Sequence, residues 1–303
     1  MFDFLVSPIW ITNILAWTFT ILFLISWYLE SFQKSLSRKL NIISWFLFGL
    51  FWLLLIPRFA IVMRSPIESA LSILAVPICF RAGYLLFSDQ KFNIDLSHAI
   101  AVMGAVYLPF ETINSFGIFL INTVAQHVYF IIIGLGVDVI LTDGPIIGHH
   151  SGLLFSRENH DYLTHIVLAC TGLGSITIFL GLISSLSITP LRKLLAGSLV
   201  SISIYLLNLI RNAFIAIAFG EQWFQWFISP VLFITQYDDP RLVSFFIADR
   251  VISQSLTVLV IMALLLICIR IVPEIVDLLE ELLYLLTKKH YDLNSAFEPI
   301  FKN

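Results

Sequence analysis

Long apolar runs separated by short polar connections fill most of this chain. A helix needs about 20 apolar residues, within a range of roughly 17–25, to cross the hydrocarbon core of a bilayer. Residues 10–29, 40–57, 166–186, 194–219 and 251–269 predict transmembrane helices on that criterion. Residues 69–87 and 96–110 are weaker candidates, because the first contains Arg81 and the second is short and carries His98. Residues 112–136 are long enough to span, but Asn114, Asn122, Gln126 and His127 leave an interfacial or re-entrant placement open. Beyond Pro273, Ile275, Leu278, Leu279, Leu282 and Leu286 fall on one helical face. Asp277, Glu280, Glu281 and Lys288 lie away from it, which predicts an amphipathic interfacial helix. The pattern as a whole predicts an all-α, polytopic transmembrane bundle with seven to eight spans and short extracytoplasmic loops.

Charge sets the expected topology. The first run follows Asp3, has no basic segment ahead of it and continues uncharged to Glu30, so it reads as a retained anchor rather than a cleaved signal. Cytoplasmic loops are enriched in Lys and Arg. Arg192 and Lys193 beside Pro190, and Arg270, Lys288 and Lys289 in the tail, mark both segments as cytoplasmic. Residues 166–186 then run inward, 194–219 outward and 251–269 inward, leaving 141–165 and 220–249 outside. Lys34, Arg38 and Lys39 make the first loop cytoplasmic as well. That demands an even number of crossings between residues 58 and 141, where three candidates lie, so the total is seven or eight. The expected organisation is N-terminal transmembrane helices in 1–140, a catalytic core in 141–271 and a cytoplasmic amphipathic tail in 272–303.

Composition narrows the function classes. Of 303 residues, 59% are hydrophobic and 12% charged, against about 25% charged in soluble domains. A net charge of −3 without a basic stripe argues against a nucleic-acid partner. The three cysteines cannot all pair, and Cys79 and Cys268 sit inside apolar runs, so no disulfide framework is expected. Neither the zinc-protease pattern His-Glu-x-x-His nor the Gly-x-Ser-x-Gly nucleophile elbow occurs. No metal or cofactor is expected. A transporter with Arg211 lining a polar pathway is the alternative class, though the inverted repeats common in transporters are not evident.

Ionisable residues inside a span are costly and therefore mark function by default. Arg211 is the most costly one here; its plain alternative is a structural pair with a carboxylate or backbone carbonyls. Cys170 opens the outer end of its predicted helix, followed by Gly172, Gly174 and Ser175, which allow close backbone approach. Arg250 sits at the outer edge of the last span, where an interfacial anchor or a pair with Asp249 is the plain reading. Each of the three maps independently to the outer leaflet. Two guanidiniums beside a thiol favour its thiolate and can donate to the oxyanion of a carbonyl under attack. That is a minimal site for acyl transfer through a thioester. Arginine stays protonated, so His149, His150, His160 and His165 in the outer loop are candidate proton carriers. His165, five residues before Cys170, would share its side if the helix began that early.

The same residues carry a family resemblance. Ala-Cys-Thr-Gly (169–172), Asn-Leu-Ile-Arg-Asn (208–212) and Ala-Asp-Arg (248–250) resemble the exosortase/archaeosortase superfamily. The bacterial branch typically has His at the third position, so Arg250 points to the archaeal branch, as do residues 210–220 and 245–254. The detailed resemblance covers about 141–271. It implies Cys170 as the nucleophile forming an acyl-thioester, Arg211 as proton donor and Arg250 as transition-state stabiliser. For Arg211, the high pKa of arginine fits a hydrogen-bond donor better. The resemblance also implies partners: secreted surface proteins bearing a C-terminal Pro-Gly-Phe motif, an apolar helix and a basic tail. That C-terminal segment is removed, and an archaeal membrane lipid is the implied acceptor.

Overall fold

A computed structural model of the chain describes residues 9–62, 66–88, 95–142, 151–157, 160–289 and 292–293. Its helices are α1 (Ile9–Leu29), α2 (Lys34–Pro57), α3 (Pro66–Ser88), α4 (Asp95–Thr112) and α5 (Asn114–Gly134). Three strands follow, β1 (Ile140–Thr142), β2 (Ser151–Arg157) and β3 (His160–Ile166). Then come α6 (Leu173–Ser185), α7 (Pro190–Gly220), α8 (Ile228–Thr235), α9 (Leu242–Phe246), α10 (Gln254–Ile271) and α11 (Ile275–Thr287). A π-helical stretch, Ile247–Ser253, joins α9 to α10.

The chain is a polytopic helical membrane protein, and the prediction needs two corrections. Among the described residues, six helices are long and apolar enough to cross a membrane, against the seven to eight expected: Ile9–Leu29, Lys34–Val62, Glu68–Ser88, Asn114–Gly134, Pro190–Gly220 and Leu242–Ile271. The doubtful run 112–136 is thus among them. Residues 96–110 are helical in α4 but share it with Asp95, His98 and Glu111 and do not qualify. Residues 166–186 lose their first turns to other structure, and the 13 residues of α6 reach only about 20 Å at 1.5 Å per residue.

The second correction concerns the all-α expectation. Residues expected as an outer loop form an antiparallel sheet of order β1-β2-β3. Alternation explains it: Leu153 and Phe155 on β2, and Thr164 and Ile166 on β3, are buried while Leu163 and His165 are exposed. That is the period of two belonging to a half-buried strand.

The chain divides into two units, one within Met1–Leu108, Thr177–Gly197 and Ile269–Asn303, the other within Pro109–Ile176 and Ser198–Cys268. The first packs around aromatic side chains of α1 and α2. Phe23 and Trp45 meet edge to face at 5.7 Å, and Phe19 lies 4.8 Å from Phe48. Buried polar groups are tied across helices: Ser26 donates to the Ser37 carbonyl at 2.8 Å, and Trp45 Nε1 to Ser97 at 2.9 Å. A Cβ on Gly104 would lie 2.3 Å from Thr20 Oγ1, so α1 and α4 approach at a distance only glycine permits.

The amphipathic α11 forms, but its buried face is rotated from the one expected. Ile275, Val276, Leu278 and Leu285 are buried, whereas Leu282 and Leu286 are exposed. Glu281, expected to face away, has a buried Oε1 with no hydrogen-bond partner among the described residues. Burial and then the neighbouring Asp95 push its carboxyl up to about 8, against a smaller opposing hydrogen bond from the Leu96 backbone. An acid that holds its proton when folded but loses it near pH 4.3 when unfolded destabilises the fold as pH rises between those values. Wild-type protein in detergent is therefore expected to melt at progressively lower temperature from about pH 5 to pH 8. Glu281→Gln should flatten that slope. Parallel slopes for the two proteins would refute the assignment.

In the second unit, α5 and α7 form a floor beneath the sheet. Val124, Val128 and Ile132 of α5, Leu153 and Phe155 of β2, and Leu209, Ala213 and Ala216 of α7 make one buried cluster. A Cβ on Gly220 would come within 2.4 Å of the Phe155 ring, so the end of α7 abuts β2 without a side chain between them. The buried Ser244 hydroxyl donates to the Ala218 carbonyl at 2.7 Å and accepts from the Phe224 N–H at 3.2 Å. These two bonds tie α9 to the end of α7.

Candidate active site

The strand β3 leads through Val167 into one 3-10 turn, Leu168–Thr171, and that turn carries Cys170. The Cys170 N–H donates to the Val167 carbonyl at 2.8 Å. The Thr171 hydroxyl donates to the Leu168 carbonyl at 2.7 Å and accepts from the Leu173 N–H at 3.3 Å. One side chain thus serves both the end of the turn and the start of α6. Gly172, between them, adopts φ +79°. A Cβ there would also lie 3.3 Å from Asn208 Cβ.

A left-handed backbone costs an L-residue about 1–2 kcal/mol. Gly172→Ala is therefore expected to lower the melting midpoint by several degrees and to disturb Cys170 alkylation in the same protein. An unchanged midpoint and alkylation rate would contradict it.

The helix α7 presents Asn208, Arg211 and Asn212 on one face, at the i, i+3 and i+4 spacing that brings side chains together. Asn208 Nδ2 donates to the Cys170 carbonyl at 2.6 Å. Asn212 Nδ2 donates to the same oxygen at 2.7 Å. Arg211, between them, donates from Nη2 to Asp249 Oδ1 at 2.5 Å. The other Asp249 oxygen lies 3.6 Å from Arg250 Nε. The π-helical stretch carries both Asp249 and Arg250, and π turns inside α-helices are frequent at functional positions.

The structure thus brings Cys170, Arg211 and Arg250 into one unit around one carboxylate. The plain pairing of Arg250 with Asp249 exists, but the short contact belongs to Arg211. Arg250 is the more open of the two cations, its side chain 45% exposed against 27% for Arg211. Arg211 Nε is a buried donor left unsatisfied among the described residues.

Cys170 lies on the turn ahead of α6, outside the six spans, and is half-buried. Burial pushes its thiol up; a backbone hydrogen bond from Val167 and the charge of Arg211 pull it down, Asp249 raises it and Arg250 lowers it. The guanidiniums act in the expected direction, yet burial prevails. The resting thiol therefore keeps its proton more firmly than the sequence suggested.

The histidines fare differently. His149 and His150 lie outside the described residues. His160 begins β3. His165 is in β3 rather than on a helix, so the helical register proposed for it with Cys170 does not exist; it is exposed, opposite Gly152 of β2. An imidazole does occur at α7: His127 Nδ1 and Tyr205 Oη are 2.6 Å apart.

Sequence reading missed the roles of Asn208 and Asn212 and the bridging role of Asp249. The signal for the asparagines was present, since two amides in an apolar run need partners.

Comparison with known proteins identifies the family of the chain. The family described as Transmembrane exosortase (Exosortase_EpsH) matches residues 10–236. Archaeosortase A of Haloferax volcanii is 40% identical over 296 residues, covering 94% of this chain and 97% of that protein. Archaeosortase A of Natronomonas pharaonis is 38% identical over 283 residues, covering 90% of this chain and 88% of that one. No solved structure matches the chain. With a family match across most of its length and relatives of this similarity, the chain belongs to the exosortase/archaeosortase family of polytopic membrane proteins.

Proposed function

We propose that the protein is a membrane-embedded cysteine transpeptidase acting on the C-terminal Pro-Gly-Phe sorting segment of secreted surface proteins. The observation that carries this reading is the convergence of a thiol-bearing turn, the buried unpartnered N–H of Arg211 and the accessible Arg250 in one unit. The catalytic segment is residues 141–271. On the charge pattern, it works at the extracytoplasmic face.

In the reaction, Cys170 Sγ bonds to the scissile carbonyl carbon as the carbonyl π pair moves to oxygen. Arg211 and Arg250 donate to that oxyanion or to the leaving group. When the oxyanion collapses, the C–N bond breaks. The amine leaves with the proton that the thiol gave up, and an acyl-thioester remains. A nucleophile from a membrane lipid then attacks the thioester, joins the carboxyl end to the lipid and returns the thiol. A substrate held by its own C-terminal helix diffuses in the plane of the same membrane, which supplies orientation and local concentration.

The test is processing of a Pro-Gly-Phe-bearing secreted reporter in cells lacking the native enzyme. They would be complemented with wild type or with Cys170→Ala, Arg211→Ala or Arg250→Ala at matched membrane levels. Wild type should release the C-terminal segment, and the variants should leave it attached. Normal trimming by Cys170→Ala would end the thioester reading.

A further inference from the structure

A carbonyl in the turn just ahead of a helix has no partner in that helix and is commonly left to water. The Cys170 carbonyl is treated otherwise. It accepts two side-chain amides, at 2.6 Å from Asn208 and 2.7 Å from Asn212. Both asparagines lie on a strongly apolar helix. Asn212 is only 3% exposed, and a buried amide is costly unless it is hydrogen-bonded. Gly172, two residues after Cys170, lets Asn208 close on the turn, since any Cβ there would crowd it at 3.3 Å. Thr171, between Cys170 and that glycine, is 1% exposed and ties the turn to α6.

We infer that Asn208 and Asn212 are positioning residues whose paired amides clamp the Cys170 carbonyl and hold the thiol in register with Arg211. The inference rests on Cys170 being the nucleophile. Arg211 stands between the two amides on α7, so any slide of the turn along that helix breaks two hydrogen bonds at once. A single bond leaves a turn free to pivot about it. Two bonds to one oxygen, from positions one helical turn apart, remove the pivot. The clamp therefore converts the packing of α7 into a fixed placement of sulfur against guanidinium. A misplacement of about 1 Å at a reacting centre can cost on the order of 100-fold in rate.

The test uses full-length protein in detergent, with Cys79 and Cys268 changed to alanine so that Cys170 is the only thiol. Asn208→Asp and Asn212→Asp preserve side-chain volume, but an ionised carboxylate donates nothing to the carbonyl. Each is expected to slow reporter processing by about 10- to 100-fold, in kcat with KM held. Alkylation of Cys170 by iodoacetamide, compared at a pH where the thiol is ionised in every variant, should become faster, because a loosened turn exposes the sulfur. The double variant should lose little beyond the worse single one, since the two act on one oxygen.

Processing that falls only in proportion to the folded fraction, with an unchanged alkylation rate, would overturn the inference. If an aspartate variant does not fold, Asn208→Ser and Asn212→Ser carry the same comparison. Alkylation needs no substrate, so it tests the clamp even if Cys170→Ala continues to trim the reporter, an outcome that would sink the nucleophile assignment instead.

Discussion

Cys170→Ala is expected to leave the reporter untrimmed, with processing reduced by about 1,000-fold or more. Positioning and oxyanion donors alone can leave some residual rate, but in the proposed reaction the attacking atom itself forms the covalent intermediate. Cys170→Ser should be nearly as poor. A serine hydroxyl needs a base to attack, and Arg211 and Arg250 are always protonated. Mass spectrometry of the reporter C-terminus reads both variants. In wild type, hydroxylamine added during turnover should divert product to a hydroxamate, as a thioester requires. A Cys170→Ser enzyme with half the wild-type rate would mean that sulfur chemistry is not the point of the site.

Asp249→Asn is expected to divide two properties that usually move together. The carboxylate raises the Cys170 thiol, and its removal leaves Arg211 and Arg250 to lower it. Alkylation of Cys170 should therefore begin at lower pH than in wild type. Processing should nevertheless fall by about 100-fold, because the 2.5 Å bond that aims Arg211 is weakened and Arg250 loses its neighbour. Removing one member of a partly buried ion pair also leaves the other uncompensated, so some loss of thermal stability accompanies it. A more reactive thiol in a slower enzyme is the distinguishing result. If the alkylation profile stays in place while processing falls, Asp249 acts elsewhere than at the thiol.

Much of this was readable in the chain because membrane spans obey one-dimensional rules. Apolar length and the cost of charge picked out four of the six spans outright, a fifth as a weaker candidate, and singled out Arg211. Three-dimensional facts were harder. The segment 151–166 alternates as strands do, yet its setting between predicted spans invited a loop reading, and the sheet then took the start of the helix expected at 166–186. The family signature named Cys170, Arg211 and Arg250 as three points. It could not say that Asp249, 38 residues from Arg211, sits between the two cations. Asn208 and Asn212 were quoted within a motif, but their shared target is a backbone atom, which a string of side-chain names does not display.

The carboxylate between two guanidiniums gives the site a standing charge. Two cations and one anion sum to a single positive charge, which only a thiolate at Cys170 would cancel. With the Cys170 thiol protonated at rest and acylated in the proposed intermediate, the site keeps that positive charge while the departing amine takes a second proton from water. Like charges in a partly dehydrated site repel one another more strongly than they do in bulk water. On the proposed mechanism, the leaving segment is thus expected to be pushed away from the thioester it could otherwise attack. An acceptor bearing negative charge, as many lipid headgroups do, is drawn toward it. The direction of transfer, out with the ammonium and in with the lipid, is expected to be written into the electrostatics of Asp249 and its two arginines.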